Sequence, residues 1–368
     1  MKDKTEKIAI LTFHGSQNYG GVLQAYALQH FIKTHFQVEV HIIDFVVREV
    51  AIFQTVSNWK HIILNLLILL RYPAYRRKRN RFNRFRHSFM HLTQRCSTLA
   101  EIKGISAPYD IIISGSDQVF HPLNPRKEIY YLAYLQEADR KKIAYAPSFG
   151  LSDIPAGITD KTASLLNGFD FLSARENTGA TIIRKLTGRK AEVLLDPVLL
   201  LEPSSWRRIS RRPSKADENF ILCYALVGRL PQMKLANQIK ELTGLPVVLL
   251  THGFLPRTNA DRTIQDAGPR EFLWLLDHAG YVVTDSFHGT AFSVLFEKPF
   301  FTYIASPEKA DRIFTLLQSL SITHRVKKKP GEIKPEELTL DFTQPRKKLQ
   351  KQRFTSIRYL QKALCSDR

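Results

Sequence analysis

At 368 residues, with 44% hydrophobic and 24% charged side chains, the chain has room for two domains of ordinary size, and wholesale disorder is excluded. The formal net charge of +20 calls for an anionic partner, whether nucleic acid, anionic lipid or phosphorylated metabolites. Three widely separated cysteines, Cys96, Cys223 and Cys365, exclude a disulfide framework and a zinc pattern, and MKDKTEKIAILTF lacks the apolar core of a signal peptide, so a cytoplasmic location is expected.

In chain order, KIAILTF predicts a strand, HGSQNYGG a loop and VLQAYALQHFIKTHF an amphipathic helix, followed by a second strand, VEVHIIDF. From Ala51 to Ala100 no acidic residue occurs, while RYPAYRRKRNRFNRFRHSFMH carries arginines at 71, 76, 77, 79, 81, 84 and 86. The apolar HIILNLLILL before it is shorter than the roughly 20 residues a bilayer span needs. This insert reads either as a buried helix followed by a solvated basic one, or as helices lying peripherally on an anionic membrane at its inner face. Interleaved arginine and phenylalanine would also suit nucleic acid, but no zinc-finger or RNP-type motif accompanies them, so no nucleic-acid partner is expected. Beyond the insert, YDIIISGSD, KKIAYAPSF, FDFLSARE and AEVLLDPVLLL are apolar runs ending in small, polar or charged residues. That is the pattern of a parallel, doubly wound sheet.

The stretch LEPSSWRRISRRPSKADEN is polar, basic and punctuated by Pro203 and Pro213, and reads as an interdomain link. The alternation then restarts. NFILCYALVG, LPVVLLTHGF, YVVTDS and FFTYI read as strands; PQMKLANQIKELTG, GPREFLWLLDHAG, TAFSVLFEKP and PEKADRIFTLLQSLSI read as helices. The tail PRKKLQKQRFTSIRYLQKAL is a basic helix that can return across the first domain. The expected architecture is α/β: two Rossmann-like domains with mostly parallel sheets, facing across a cleft that takes ligands at the carboxyl ends of the strands. The domains fall at residues 1–205, with the basic insert at about 55–95, and at 218–330, with the final helix within 335–368.

Four strand ends carry unusual residues. In HGSQNYGG, Asn18 precedes the adjacent glycines Gly20 and Gly21, which allow close backbone approach, yet the spacing is neither G-x-G-x-x-G nor a P-loop. A plain strand-to-helix turn explains it as well as a ligand loop does. SGSDQVFHP places Ser114, Ser116 and Asp117 directly after a strand, where Asp117 either caps the next turn or faces the cleft. In LSARENTGATIIRKLTG, Arg175 and Glu176 end a strand. Arg175 can grip a carboxylate or phosphate in two-pronged fashion, or pair with Glu176 or another neighbour. In VVTDSFHGTAFSVLF, a cap at Ser286 would leave the amides of His288 and Gly289 free in the first turn, where the helix dipole favours an anion. A histidine is by itself more often structural, but strand, Gly289 and open helix end coincide here and point to function.

These strand ends resemble the polysaccharide pyruvyl transferase family. The resemblance lies in NYGGVLQAYAL, YDIIISGSDQVF, KKIAYAPSFG, LSARENTGATIIRKLTG with VLLDPVLLLEPSSW, and GPREFLWLLDHAGYVVTDSFHGTAFSVLFEKPF, in the family's order from about residue 7 to 325. It implies a GT-B-like fold, phosphoenolpyruvate as donor, a sugar or lipid-linked oligosaccharide with two free hydroxyls as acceptor, and a pyruvate ketal and phosphate as products. The family's histidine falls on His288 and an arginine of its S-x-R-[DE] segment on Arg175. Better-studied members read R-L-H-G, and the arginine position is Ser286 here, which leaves Arg312 or Lys298 to replace it. Enol-phosphate chemistry then assigns His288 as general acid or phosphate partner and Asp117 as base. Arg175 and the helix end from Ser286 to Gly289 hold the donor, and Asn18, Gly20 and Gly21 face the acceptor. No metal or cofactor is required, and no H-E-x-x-H cluster occurs. Two other readings remain: a nucleotide-sugar glycosyltransferase in the same kind of cleft, and a non-catalytic basic protein that binds anionic polymers.

Overall fold

The computed structural model describes residues 6–46, 59–135, 140–214, 216–226, 230–251, 259–304, 310–329 and 333–366, the side chains of 59–71 excepted. Its first half runs β1 (Ile8–Leu11), α1 (Tyr19–Phe36), β2 (Val40–Ile42), α2 (Trp59–Phe89), α3 (Leu99–Ser106), β3 (Ile111–Ser114), α4 (Lys127–Tyr130), β4 (Lys141–Ala144), α5 (Thr159–Asn167), β5 (Ser173–Ala174), α6 (Asn177–Thr187) and β6 (Glu192–Val193). The second half runs α7 (Pro203–Ile209), β7 (Ile221–Tyr224), α8 (Leu230–Thr243), β8 (Val247–Leu250), β9 (Arg262–Ile264), α9 (Pro269–His278), β10 (Tyr281–Thr284), α10 (Phe287–Leu295), β11 (Phe300–Tyr303), α11 (Asp311–Ser319), β12 (Val326–Lys327) and α12 (Thr343–Cys365).

Two parallel sheets result. The first has the order β2-β1-β3-β4, with Ile8 opposite both Val40 and Ile111 and with Ile113 opposite Ile143. The second has the order β12-β11-β10-β7-β8-β9 and is parallel at every pairing. The central strands IAIL, IIIS, ILCY and VVLL are buried along their whole length, as helices on both faces of a parallel sheet require.

Two of the expected strands are shorter than their apolar runs. FDFLSARE contributes only Ser173–Ala174, which pairs with Glu192–Val193 in a separate two-stranded sheet. AEVLLDPVLLL then leaves strand geometry, because Pro197 lacks the N–H a ladder needs. Asp196 instead caps a 3₁₀ turn, Pro197–Leu199, by accepting from the Val198 amide at 3.1 Å. The stretch read as a link carries α7, whose Trp206 is fully buried and donates its indole N–H to the Val198 carbonyl at 3.1 Å.

The two sheets share one continuous apolar core, which runs from Ile8 and Tyr19 through Trp206 to Phe272 and Phe292. Tyr19, the first residue of α1, reaches across: its hydroxyl donates to the Ala267 carbonyl at 2.8 Å, and its ring stacks on Phe272 at 4.4 Å. The final helix α12 lies on the edge of the first sheet, with Tyr359 donating to the Ala144 carbonyl and Ser356 accepting from the Leu195 amide.

The basic insert forms one 31-residue helix, α2, rather than a pair. The side chains of HIILNLLILL and of Arg71 lie outside the described residues, as does the start of the insert at 55–58. Downstream, Lys78, Phe82 and Phe85 are buried at the i, i+4, i+7 spacing of one face, while Arg77 donates to Asp266 Oδ2 and Arg81 to the Asp266 carbonyl, both at 2.7 Å. The basic helix is therefore bolted to the second sheet's loops rather than simply solvated. No helix among the described residues is long and apolar enough to cross a membrane.

Lys78 Nζ sits 4.8 Å from the Tyr19 ring centre, and burial lowers its pKa from 10.5 to about 7. The unfolded chain thus binds one more proton between these values, so stability rises with pH across that window. Replacing Lys78 by Met should flatten the dependence by up to about 1.4 kcal/mol per pH unit, as measured by urea unfolding at a series of pH values from neutral to alkaline. Parallel curves for the two proteins would refute it.

Candidate active site

The site begins where β10 passes directly into α10. Thr284 Oγ1 accepts from the Ser286 amide at 3.0 Å, and Ser286 Oγ accepts from the Gly289 amide at 3.3 Å, which caps the helix. This corrects one expectation: the Gly289 amide is engaged by Ser286, and the His288 amide is the one without a partner among the described residues. Asp285 is also committed, accepting from the Leu226 amide at 2.7 Å and from Gln232 Nε2 at 3.0 Å. Gly289 is required by packing, since a Cβ there would lie 2.5 Å from Thr284 Oγ1.

His288 projects from this first turn and is only 7% exposed; the Phe287 ring meets it edge-on at 5.2 Å, and two further neighbours come from the other half of the chain. One is Gly20 in the first turn of α1. A Cβ at that position would stand 1.9 Å from His288 Nδ1, so the backbone of α1 is pressed against the imidazole. The other is Asp196, whose Oδ2 lies 3.4 Å from His288 Nε2. That distance suits an ion pair, but the groups are not aligned as a hydrogen bond, and Nε2 is a buried polar atom without a hydrogen-bond partner.

Asp196 is the hub. Its Oδ2 also meets Arg175 Nη1 at 2.6 Å and accepts from Ser116 Oγ at 3.2 Å. Burial alone would raise this carboxyl. The His288 and Arg175 charges together with the Val198 amide outweigh burial and hold it well below the ordinary carboxylate range. Arg175 reaches further, with Nη2 3.6 Å from Asp117 Oδ1 and its guanidinium 4.6 Å from the Phe287 ring centre. Its Nε and Nη2 are buried and make no hydrogen bond. The alternative pairing with Glu176 is not formed. Glu176 turns away to accept from Ser148 Oγ at 3.0 Å and the Phe149 amide at 2.8 Å, fixing the loop after β4.

Asp117 combines the two roles considered for it. Its Oδ1 caps the following turn through the Gln118 amide at 2.9 Å, and the same oxygen faces Arg175. Its backbone, at φ 72° and ψ −174°, lies in a region that costs a non-glycine residue energy and that recurs at functional sites. Asn18 caps α1 by accepting from the Gly21 amide at 3.3 Å, and Gly21 faces Asp117 Oδ2.

Of the two candidates to replace the arginine absent at Ser286, only one is in place. Arg312, in the first turn of α11, lies within electrostatic reach of Arg175, Glu176, Asp117 and Asp196, and has no hydrogen bond or close ion pair among the described residues. Burial, and then the Arg175 charge, lower its pKa. Lys298 lies past the far end of α10, beside Asp277 and Arg207, about 13 Å of helix away. Arg175, Asp196, Phe287 and Arg312 share a cavity of about 360 Å³ with Leu195 and Thr315. Two guanidinium groups with open donors therefore face one cavity beside an imidazole, an arrangement suited to a small multiply charged anion.

The segments containing Asn18, Gly20, Gly21, Asp117, Arg175, Ser286, His288, Gly289 and Arg312 thus converge on one seam. Asp196, the residue that joins them, is not evident from strand-end reasoning. Its only local signal is an Asp-Pro pair interrupting an apolar run.

A family model described as polysaccharide pyruvyl transferase matches residues 18–306. The chain belongs to the polysaccharide pyruvyl transferase family. The match takes in every residue of the seam except Arg312, and the family is one of transferases. A search of curated proteins found no match. Among solved structures, AviGT4, a glycosyltransferase involved in avilamycin A biosynthesis, superposes with a TM-score of 0.50 at 13% identity, covering 98% of this chain and 99% of that one. A UDP-N-acetylglucosamine 2-epimerase gives 0.50 at 12%, covering 98% and 95%. A provisionally named UDP-N-acetylglucosamine 2-epimerase from Listeria monocytogenes gives 0.50 at 11%, covering 99% and 98%. At such identities the likeness shows the fold alone, and that fold is GT-B.

Replacing Asp196 by Ala strands a buried guanidinium and should lower the unfolding free energy by about 3–5 kcal/mol. Because the folded carboxyl titrates below its ordinary value of 3.8, the contribution is whole above that pH and is lost progressively below it. Urea unfolding of the two proteins should show a gap at neutral pH that narrows in acid. A gap that stays constant or widens in acid would contradict this account.

Proposed function

We infer that this protein moves a pyruvyl group from phosphoenolpyruvate to two hydroxyls of a cell-envelope or exopolysaccharide sugar, forming a ketal and releasing phosphate. The observation that carries this reading is the buried His288–Asp196–Arg175 cluster opening, through Arg175 and Arg312, onto a cavity of about 360 Å³. Phosphoenolpyruvate is a small acid with a carboxylate and a phosphate, and two guanidinium groups answer two anionic groups.

In this reading His288 protonates the methylene carbon, and positive charge develops at the carbon bearing the carboxylate and phosphate. An acceptor hydroxyl bonds to that carbon and its proton passes to Asp117. The carbon–oxygen bond to phosphate then breaks, phosphate leaves with the bonding electrons, and the second hydroxyl closes the ketal as its proton is released. Arg175, Arg312 and the capped helix end at Ser286 hold the donor, while Asp196 orients the imidazole. Asn18, Gly20 and Gly21 face the acceptor. A lipid-linked acceptor would place the protein at the inner face of an anionic membrane, and failure to sediment with anionic vesicles at low salt would remove that part. The GT-B fold also serves nucleotide-sugar transfer, which would release a nucleoside diphosphate instead of inorganic phosphate.

Incubation with phosphoenolpyruvate and a cell-envelope oligosaccharide should release phosphate. His288→Gln should cut that turnover by roughly 10²–10⁴ while the protein stays folded. A folded variant that keeps most of its rate would sink the assignment. Gly20→Ala pushes a methyl into the space beside the imidazole and should cost on the order of 10²-fold in turnover, with a lower melting temperature because the methyl overpacks a buried seam. An unaffected rate would mean that the ring need not be held where it lies.

A further inference from the structure

Helix α6 starts without a side-chain cap of its own. Glu176 precedes its first residue, but that carboxylate is turned to Ser148 and the Phe149 amide instead of the helix end. The first amides of a helix have no partner within it and need acceptors from elsewhere. Here the acceptors come from the first turn of α11, in the second half of the chain. Asp311 Oδ2 accepts from the Thr178 hydroxyl at 2.6 Å and from the Thr178 amide at 3.3 Å. Thr315 Oγ1 accepts from the Asn177 amide at 3.2 Å. The Asp311 carboxylate also meets the positive end of the α6 dipole.

Each helix start carries an arginine beside this contact. Arg175 lies two residues before Asn177, and Arg312 directly follows Asp311. Thr315 stands one turn on from Asp311 and Arg312, and it lines the same cavity as Arg175, Asn177 and Arg312. On the other side of α11, Ile313 and Leu317 are buried in the apolar core. Apolar burial is non-directional and holds the helix in place without fixing how its first turn is aimed. The hydrogen bonds to Asn177 and Thr178 supply that direction. Arg312 makes no hydrogen bond or close ion pair among the described residues, so its guanidinium points where the first turn of α11 points it.

We propose that Asp311 and Thr178 are positioning residues: they form a cap across the seam that aims Arg312 into the cavity opposite Arg175. The placement of Arg312 follows from the cap itself, and its service to phosphoenolpyruvate rests on the transferase reading above. Without the cap Arg175 stays in the cavity, held by Asp196, while Arg312 is released, so the site keeps one guanidinium of two.

His121, in the turn after Asp117, reports on this without any substrate. Its Nδ1 accepts from the Leu123 amide at 3.3 Å, and burial, then the Arg312 charge, lower its pKa. The His121 ring resonance, assigned by its absence in His121→Gln, is followed by NMR through a pH series. Arg312→Gln should move the midpoint up, and Thr178→Val and Asp311→Ala should move it the same way. Thr178→Ser, which keeps the hydroxyl, should titrate as the parent does. Loss of the Asp311 charge acting directly on the ring would move the midpoint down, so the direction separates aiming from a simple field effect. With phosphoenolpyruvate as donor, Thr178→Val should raise KM about tenfold and leave kcat nearly unchanged. A midpoint that stays at the parent value in Thr178→Val and Asp311→Ala would overturn the proposal, as would one that stays there in Arg312→Gln. A shifted midpoint with an unchanged KM would overturn the service to the donor. Should the parent show no turnover of phosphoenolpyruvate, the donor reading falls and the His121 titrations still decide the cap.

Discussion

A carboxylate that is 1% exposed must be paired, and the pairing of Asp196 with Arg175 and His288 is the constraint on which the site depends. The three groups arrive on a strand end, on a capped 3₁₀ turn and on the first turn of a helix, and none can be withdrawn without leaving another charge in a low-dielectric seam. Val198 and Ser116 complete the carboxylate's hydrogen bonds, so its position is set from four directions. The unmatched donors are then informative. Arg175 and Arg312 together present more positive groups than the protein uses, at the wall of one cavity.

Close packing brings the partners together. Gly20 lets the backbone of α1 lie against the imidazole, and the neighbouring Tyr19 anchors that turn across the seam through Phe272 and the Ala267 carbonyl. The apolar core is continuous through both sheets, so the site sits in a packed joint and not in an open gap between independent lobes. Burial of the joint excludes water, which strengthens each electrostatic contact within it.

The basic insert shows how little composition says about the use of charge. One stretch of α2 has a face for the core at Lys78, Phe82 and Phe85, a face for Asp266 at Arg77 and Arg81, and a face for a cavity at Arg79, Asn83, Arg86 and His87. A run of arginines predicted an anionic partner. It did not say that several of them would be spent inside the protein.

The sequence by itself determined the alternation of strands and helices, the two parallel sheets and the polar strand ends that converge on the seam, because hydrophobic period and the Gly, Ser and Asn signals at helix starts are local properties. The match of that ordered set to a family follows from the same local information. Other features were decided only by tertiary structure. AEVLLDPVLLL reads as a strand from its apolar run, yet Pro197 turns it, and Asp196 acquires its importance from residues far away in the chain. Arg312 and Lys298 look equally available in sequence, but the full length of α10 separates Lys298 from the Ser286 end, whereas α11 brings Arg312 to the cavity. Ser286 reads as a cap that leaves two amides free, and the fold engages one of them. In each case the outcome rests on which charged or polar groups share a buried space. Long-range packing settles that, and no local period encodes it.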